Sequence, residues 1–244
     1  KGLSERKEIK FVTYTLRYNQ CDRVRILGLV KHWNPASVDA KFEEKSIAIT
    51  TENVTQVGVY VTDERPVVMD GIAFRLMLRD KEFGGTWKNF AKVGGKWTLA
   101  STSDEAGIAK VHGLQGPIDD AFMDSFLMVS PTGLPMNDKI GKWTQTEVKH
   151  AVDHWRKQFR GDAPMKKDSE ITDDDIKNNN LILWGDPKSN AILAKIADKL
   201  PLKEFGDTTV TTMIYPNPLN PKKYVVLNSG FTFREYDYLN NARQ

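Results

Sequence analysis

Short stretches of alternating apolar and polar residues dominate the first hundred positions. Residues 38–42 and 46–50 alternate with a period of two, as do residues 55–61. This period is typical of strands with one buried face. Further β-branched or aromatic segments lie at residues 8–16, 72–78, 87–90 and 96–99. Since Gly94 and Gly95 indicate a hairpin turn and no helical period intervenes, these segments predict an antiparallel β-sandwich.

After residue 110 the pattern changes to continuous apolar runs and helical spacing. Residues 126–129 and 181–184 are uninterrupted apolar runs, typical of strands buried on both faces. Apolar residues at steps of four, three and four predict a helix over residues 144–159: Val148, Val152, Trp155 and Phe159. Residues 211–215 and 224–227 predict two more strands.

Two capping signals place shorter helices in the same half. Thr172 stands three residues before Asp175, close to a capping box with aspartate in place of glutamate. Ser189 follows a Gly-Asp-Pro turn and is the predicted N-cap of a helix that continues through Ala197.

The two patterns together predict an α+β chain in two parts. Residues 1–108 form an all-β, sandwich-like domain in this interpretation. Strands that alternate with helices predict, for residues 109–244, a three-layer α/β domain with a mostly parallel sheet, flavodoxin-like or Rossmann-like.

Charge and composition remove several classes of function. The 244 residues include 35 basic and 32 acidic ones, a net charge of +3. The basic excess is confined to the first hundred residues and is mild, so a solvated surface explains it better than a nucleic-acid partner. Apolar runs such as residues 126–129 are far shorter than the roughly 20 residues of a membrane-spanning helix. We therefore expect neither nucleic acid nor membrane as a partner.

The single cysteine and the first residue bear on the origin of the chain. Cys21 stands alone, which excludes an intrachain disulfide. The sequence opens at Lys1 with neither an initiator methionine nor an apolar leader, so we expect a processed product or a piece of a longer protein.

Hydrolase and nucleotide motifs are absent from the sequence. A nucleophile elbow requires G-x-S-x-G, and the nearest segment, residues 227–231, lacks the glycine two positions before Ser229. Neither the phosphate loop G-x-x-x-x-G-K-[ST] nor G-x-G-x-x-G occurs. We therefore predict no catalytic residue and no cofactor, and a polar turn is the favoured role of Ser229.

Metal-binding patterns are incomplete. His150 and His154 share a helix face, but the sequence between them lacks the glutamate of H-E-x-x-H and offers no third ligand. Residues 173–175 are three aspartates without the alternation and glycine of an EF-hand loop, so helix capping explains them better. No metal site is predicted.

A crevice at the edge of the α/β sheet remains as a candidate ligand site. In open parallel sheets, ligands bind beyond the carboxyl ends of the strands. The polar residues expected there are Ser130, Asp186, Ser189, Asn190, Asn217, Asn228 and Ser229. The favoured alternative is that these short side chains only form caps and turns.

Several segments resemble one group of bacterial enzymes. They are residues 11–18, 32–36, 112–122, 181–187, 215–221 and 224–230, together with Phe233, Arg234 and Glu235. They are similar to the region downstream of the catalytic domain in prolyl-oligopeptidase-like peptidases and α/β-hydrolase esterases. The resemblance covers nearly the whole chain and implies an exported parent, secreted or periplasmic, whose catalytic residues precede Lys1.

The resemblance makes an accessory role the leading hypothesis. Under this hypothesis, the chain is a non-catalytic C-terminal region of a secreted serine hydrolase. This region positions substrate or associates with the upstream catalytic domain. Its partners would be that domain and a peptide or polysaccharide substrate. The alternatives are a small-ligand-binding or hydrolytic domain with its site at the α/β crevice, and a carbohydrate-binding module. Trp33, Trp87 and Trp97 are candidates for an interface or glycan platform, with core packing as the favoured alternative.

Overall fold

The chain divides into two compact units, with the boundary between Gln115 and Gly116. The computed structural model describes residues 6–77, 84–100, 110–202, 205–206, 209–233 and 235. The predicted domain boundary, between residues 108 and 109, lies outside the described residues. Within the described residues the chain is α+β, with three helices and three β-sheets.

Two five-stranded sheets build the described part of the first unit, in the orders β1-β4-β5-β7-β8 and β10-β9-β6-β3-β2. Their strands are β1 (Glu8–Thr13), β2 (Gln20–Cys21), β3 (Val24–Leu29), β4 (Ala36–Phe42), β5 (Ile47–Glu52), β6 (Val54–Val61), β7 (Val67–Met69), β8 (Ile72–Phe74), β9 (Thr86–Val93) and β10 (Lys96–Leu99). Neighbouring strands run antiparallel except β5 and β7, which are parallel, so the first sheet is mixed.

One apolar cluster lies between these sheets. Val38 and Ala40 of the first sheet and Val57, Val59 and Phe90 of the second are all buried in it. The period of two explains the arrangement, because alternate side chains of each strand point to the same side. Burial of these side chains out of water is the main stabilising contribution to this unit.

A third five-stranded sheet, with the order β12-β11-β13-β15-β14, builds the second unit in the described residues. Its elements are β11 (Phe126–Ser130), α1 (Asp138–Phe159), β12 (Met165–Lys167), α2 (Asp173–Asn178), β13 (Asn180–Leu183), α3 (Ala191–Ile196), β14 (Met213–Asn217) and β15 (Asn220–Leu227). Strands β12, β11, β13 and β15 run parallel to one another, whereas the edge strand β14 is antiparallel to β15. No helix in the described residues is long and apolar enough to cross a membrane.

Helices contact the third sheet through alternate residues of its strands. Leu181 and Leu183 of β13 share a buried cluster with Ile192 and Leu193 of α3. Phe126 of β11 instead contacts Trp155 of α1, with their ring centres 4.7 Å apart. Because the central strands bury both faces, they read as continuous apolar runs in the sequence.

Three local predictions concern where helices begin. The capping box at Thr172 is confirmed, since its hydroxyl accepts from the Asp175 amide while the Asp175 carboxylate accepts from the Thr172 amide. The predicted N-cap at Ser189 is wrong: Asn190 caps α3, because its side chain reaches two free amides of the first turn. Helix α1 begins six residues earlier than predicted, after the Asn137 cap.

Candidate functional site

Six of the seven predicted crevice residues lie at one edge of the third sheet. Ser130 ends β11, Asp186, Ser189 and Asn190 follow β13, and Asn228 and Ser229 follow β15. Since these three strands are parallel neighbours, their carboxyl ends meet at the same edge.

Asn217 does not join them. Strand β14 runs antiparallel to β15, so its last residue lies beside the start of β15, at the opposite edge of the sheet. There the Asn217 side-chain oxygen accepts a hydrogen bond from the Leu219 amide in the β14–β15 turn (2.9 Å). The prediction that Asn217 shares a crevice with the other six residues is therefore wrong.

The carboxylate of Asp186 holds two loops together. Oδ2 accepts from the Met136 amide (3.0 Å), and Oδ1 accepts from the amides of Lys188 (2.8 Å) and Ser189 (3.0 Å). The residue is only 3 % exposed. A buried carboxylate with three amide donors is satisfied by backbone, which is the arrangement of a structural anion.

Ser189 and Asn190 are occupied in the same way. The Ser189 hydroxyl accepts from the Asp186 amide (2.9 Å) and donates to the Asp186 carbonyl (3.1 Å). The Asn190 oxygen accepts from two amides of α3, while its nitrogen donates to the carbonyls of Val129 and Trp184. Every hydrogen-bonding direction of the Asn190 amide is therefore used by backbone.

Asn228 and Ser229 complete the set. Asn228 adopts a left-handed conformation (φ 48°), and its side chain exchanges two hydrogen bonds with the backbone of Gly185 (2.7 and 2.9 Å). The half-buried Ser229 hydroxyl donates to the Gly230 carbonyl (3.1 Å). A serine nucleophile needs a base to take its proton, so this geometry leaves Ser229 in a turn role.

The two helical histidines have separate partners. His150 Nε2 donates to the Glu235 carboxylate (2.8 Å), and His154 Nε2 donates to the carbonyl of Phe233 (3.0 Å). Within the described ranges of the chain, no group of three or more histidine, cysteine, aspartate or glutamate side chains is placed to hold a metal ion. The third aspartate of residues 173–175, Asp175, forms an ion pair with Lys166 (2.8 Å).

The three tryptophans of the first unit have different environments. Trp97 is buried, and its Nε1 donates to the Asp70 carboxylate (2.7 Å). The Arg25 guanidinium covers the ring of Trp87 at 3.7 Å. Only Trp33 is largely exposed, at 51 %. Core packing was therefore the right interpretation for Trp97.

A cavity that the sequence did not predict lies beside the polar edge of the third sheet. Its volume is about 440 Å³. It lies between α1, the loop that follows β11, and Ser189, and its wall includes Pro131, Pro135, Thr144, Val148, Val152 and Met165. Gly141 lies before the helix predicted at residues 144–159 and belongs to α1 only in the structure, where a Cβ on it would come within 2.6 Å of Pro135 Cγ.

Comparison with known proteins adds no assignment: no protein-family model matches the chain, and no curated protein was found to be similar to it.

Proposed function

We propose that this chain is a non-catalytic accessory region of a secreted bacterial serine hydrolase, a peptidase or esterase, and that it associates with the catalytic domain of the same polypeptide. The observation that carries the proposal is the hydrogen bonding at the carboxyl edge of the third sheet. Asp186, Ser189, Asn190 and Asn228, where an α/β enzyme would hold catalytic groups, all bond to backbone. The resemblance of the six sequence segments supplies the hydrolase context.

The proposed fold assignment is a β-sandwich followed by a three-layer, flavodoxin-like α/β domain. The cluster shared by the two sheets of the first unit supports the sandwich. Contacts of α1 and α3 with alternate residues of the third sheet support the three layers. The first three strands of this sheet in chain order are β11, β12 and β13. Strand β12 lies on one side of β11 and β13 lies on the other, as at the start of a flavodoxin-like sheet.

The proposed docking surface comprises exposed apolar residues of the first unit. Its residues are Val12, Tyr14, Tyr18, Val30 and Trp33, each more than half exposed. Two of them are tied together, since the Trp33 amide donates to the Tyr14 carbonyl (3.2 Å). Exposed aromatic residues are typical anchors of protein interfaces.

The loop that carries Trp33 is held in place by one side chain. Asn53 accepts from the Lys31 amide (2.8 Å) and donates to the carbonyls of Lys31 (2.9 Å) and Pro35 (3.1 Å). Trp33 itself has φ 67°, a region unfavourable for a bulky side chain. A strained, preorganised and exposed tryptophan supports a binding role, because preorganisation lowers the entropic cost of association.

The association is tested with the catalytic domain that precedes this chain, produced as a separate protein. We expect calorimetry to detect binding, and Trp33→Ala to weaken it at least tenfold, as for an interface anchor. Trp143→Ala, at an exposed tryptophan of α1, is the matched control and should change the affinity less than twofold. Absence of binding, or equal effects of the two variants, would contradict the proposal.

The non-catalytic part is tested by turnover of the chain alone. p-Nitrophenyl acetate and a prolyl p-nitroanilide are suitable substrates, and we expect equal background rates for the chain and for Ser229→Ala. Activity that Ser229→Ala abolishes would show that the hydroxyl is a nucleophile and would overturn the proposal.

A carbohydrate-binding module is the second candidate, and the exposed rings of Tyr14, Tyr18 and Trp33 favour it. Such rings can stack on sugar faces as well as on protein. Affinity electrophoresis on plant polysaccharides separates the two functions: retardation that Trp33→Ala removes would favour the carbohydrate module, and unretarded migration would count against it.

A further inference from the structure

The cavity beside α1 lies where the strand order of the third sheet reverses. From β11 the chain passes through α1 to β12 on one side, and then through α2 to β13 on the other side. Open α/β sheets bind ligands at this switch point, outside the carboxyl ends of the strands. Ser130 at the end of β11 and Ser189 after β13 both belong to the cavity wall.

The wall is mainly apolar and its shape is fixed by backbone contacts. Half of its side chains are apolar, those of Pro131, Pro135, Val148, Val152 and Met165. The loop after β11 is anchored at two points, since the Gly133 amide donates to the Ser189 carbonyl (2.8 Å) and the Met136 amide to Asp186. A preformed apolar cavity of about 440 Å³ is within the size range of small-molecule sites.

One buried polar group in this wall lacks a partner. Thr144 of α1 is 3 % exposed, and its Oγ1 has no hydrogen-bond partner among the described residues. Buried hydroxyls are nearly always bonded. Oγ1 has almost no accessible surface, so a ligand group in the cavity would complete it after rotation of the side chain about its Cα–Cβ bond, between the two rotamers that threonine adopts in helices. A hydroxyl can donate or accept, and either a hydroxyl or a carbonyl group of a ligand would suit it.

Charge around the cavity argues against a phosphate or another anion. In the loop before α1, the amides of Gly133 and Met136 are already bonded to Ser189 and Asp186, and in its first turn the Lys139 amide is bonded to Asn137. The Asp186 carboxylate would also repel an anion in this loop. At the rim, the Lys149 ammonium is paired with Asp153.

We propose that this cavity binds a small neutral molecule, mainly apolar, whose single hydroxyl or carbonyl group pairs with Thr144. The site is distinct from the docking surface on the first unit and does not depend on the accessory function. Binding would be non-covalent, with burial of the apolar body as the driving force.

The test uses the whole chain and three probes: 2-naphthol, naphthalene and 2-naphthoate. Fluorescence titration should show saturable, single-site binding of 2-naphthol. Naphthalene, which lacks the polar group, should bind about three- to tenfold more weakly, the effect of one hydrogen bond. The anionic 2-naphthoate should also bind more weakly than 2-naphthol.

Two threonine variants localise the polar contact. Thr144→Val keeps the side-chain shape and removes the hydroxyl, so 2-naphthol should then bind no more tightly than naphthalene. Thr146→Val is the matched control, because Thr146 is exposed on the same helix and donates to the Lys142 carbonyl (3.0 Å). It should leave the affinity for 2-naphthol unchanged.

A third variant fills the cavity. Val148→Phe should abolish saturable binding while thermal unfolding remains cooperative, and if it does not fold, the Thr144→Val comparison decides alone. The proposal is overturned if 2-naphthol does not saturate, if folded Val148→Phe binds as tightly as the original chain, if Thr144→Val and Thr146→Val behave alike, or if 2-naphthoate binds most tightly.

Discussion

At the scale of single residues, the polar groups of the second unit act as ties between backbone segments. Asn228 connects Gly185 with Thr211, and Asn190 connects α3 with the carbonyls of Val129 and Trp184. These two side chains give buried backbone groups the hydrogen bonds that water would supply to an exposed loop. Loss of one such side chain leaves several buried backbone groups unpaired, which costs more than the bond itself contributes.

Asp186→Asn is the most direct test of this role. The asparagine side chain has one acceptor oxygen in place of two, so it cannot serve the amides of Met136, Lys188 and Ser189 together. We expect the free energy of unfolding to fall by about 1.5–3 kcal/mol, as for bonds to a charged group. Urea denaturation measures the change.

Asp198→Asn provides the control, since Asp198 is exposed in the turn after α3. It should change the free energy of unfolding by less than about 0.5 kcal/mol. A similarly small effect of Asp186→Asn would mean that the carboxylate does not hold the loops and is available for another purpose.

At the scale of elements, short helices of this chain depend on side chains more than on helix propensity. Helix α2 has six residues, too few to be stable alone in water. Its first turn is closed by the Thr172 capping box and joined to β12 by the Lys166–Asp175 ion pair (2.8 Å). Asp175 therefore serves both the cap and the contact with the neighbouring strand.

Asp175 should make stability depend on pH in the acid range. The hydrogen bond from Lys166, followed by that from the Thr172 amide, lowers the pKa of Asp175 from 3.8 to about 2. Because the folded state holds the proton less readily than the unfolded chain, this contribution is complete above about pH 4 and is lost as the pH falls towards 2.

The corresponding variant is Asp175→Asn. We expect it to lower the free energy of unfolding by about 1 kcal/mol at pH 7 and to flatten the decrease between pH 4 and pH 2. Urea denaturation at several pH values measures both effects. Asp174 is exposed in the same turn, and Asp174→Asn should leave the decrease in the free energy of unfolding between pH 4 and pH 2 unchanged. The assignment would be refuted if Asp174→Asn flattened this decrease and Asp175→Asn did not.

At the scale of the whole molecule, each unit has a hydrophobic cluster of its own. The first is built from residues of two sheets, such as Val38 and Val57, and the second from the third sheet with α3, such as Leu183 and Leu193. A unit with its own core is expected to fold independently.

We therefore expect residues 1–115 and 116–244 to fold when produced separately. Each should unfold in one cooperative thermal transition detected by circular dichroism and should show dispersed amide resonances. The intact chain is the reference for both. A unit that remains without a cooperative transition on its own would show that the two clusters are not independent.

Periodicity predicted much of this fold because it is a local property. The period of two at residues 38–42 and 55–61 corresponds to β4 and β6, and the apolar run at 181–184 corresponds to β13. Strand β3 was not predicted, because Arg25 and Gly28 interrupt its apolar pattern. The predicted strand at 72–78 is shorter, and β8 ends at Phe74.

The sequence by itself determined most of the segments that become strands and helices, among them β4, β6 and β13, and where Thr172 caps α2. Only the tertiary structure decided the direction of β14, which moves Asn217 to the far edge, and the approach of α1 to the loop after β11, which creates the cavity around Thr144. Alternation is the same in parallel and antiparallel strands, so direction has no local signature. A cavity forms between segments distant in sequence, and its walls exist only after those segments have packed.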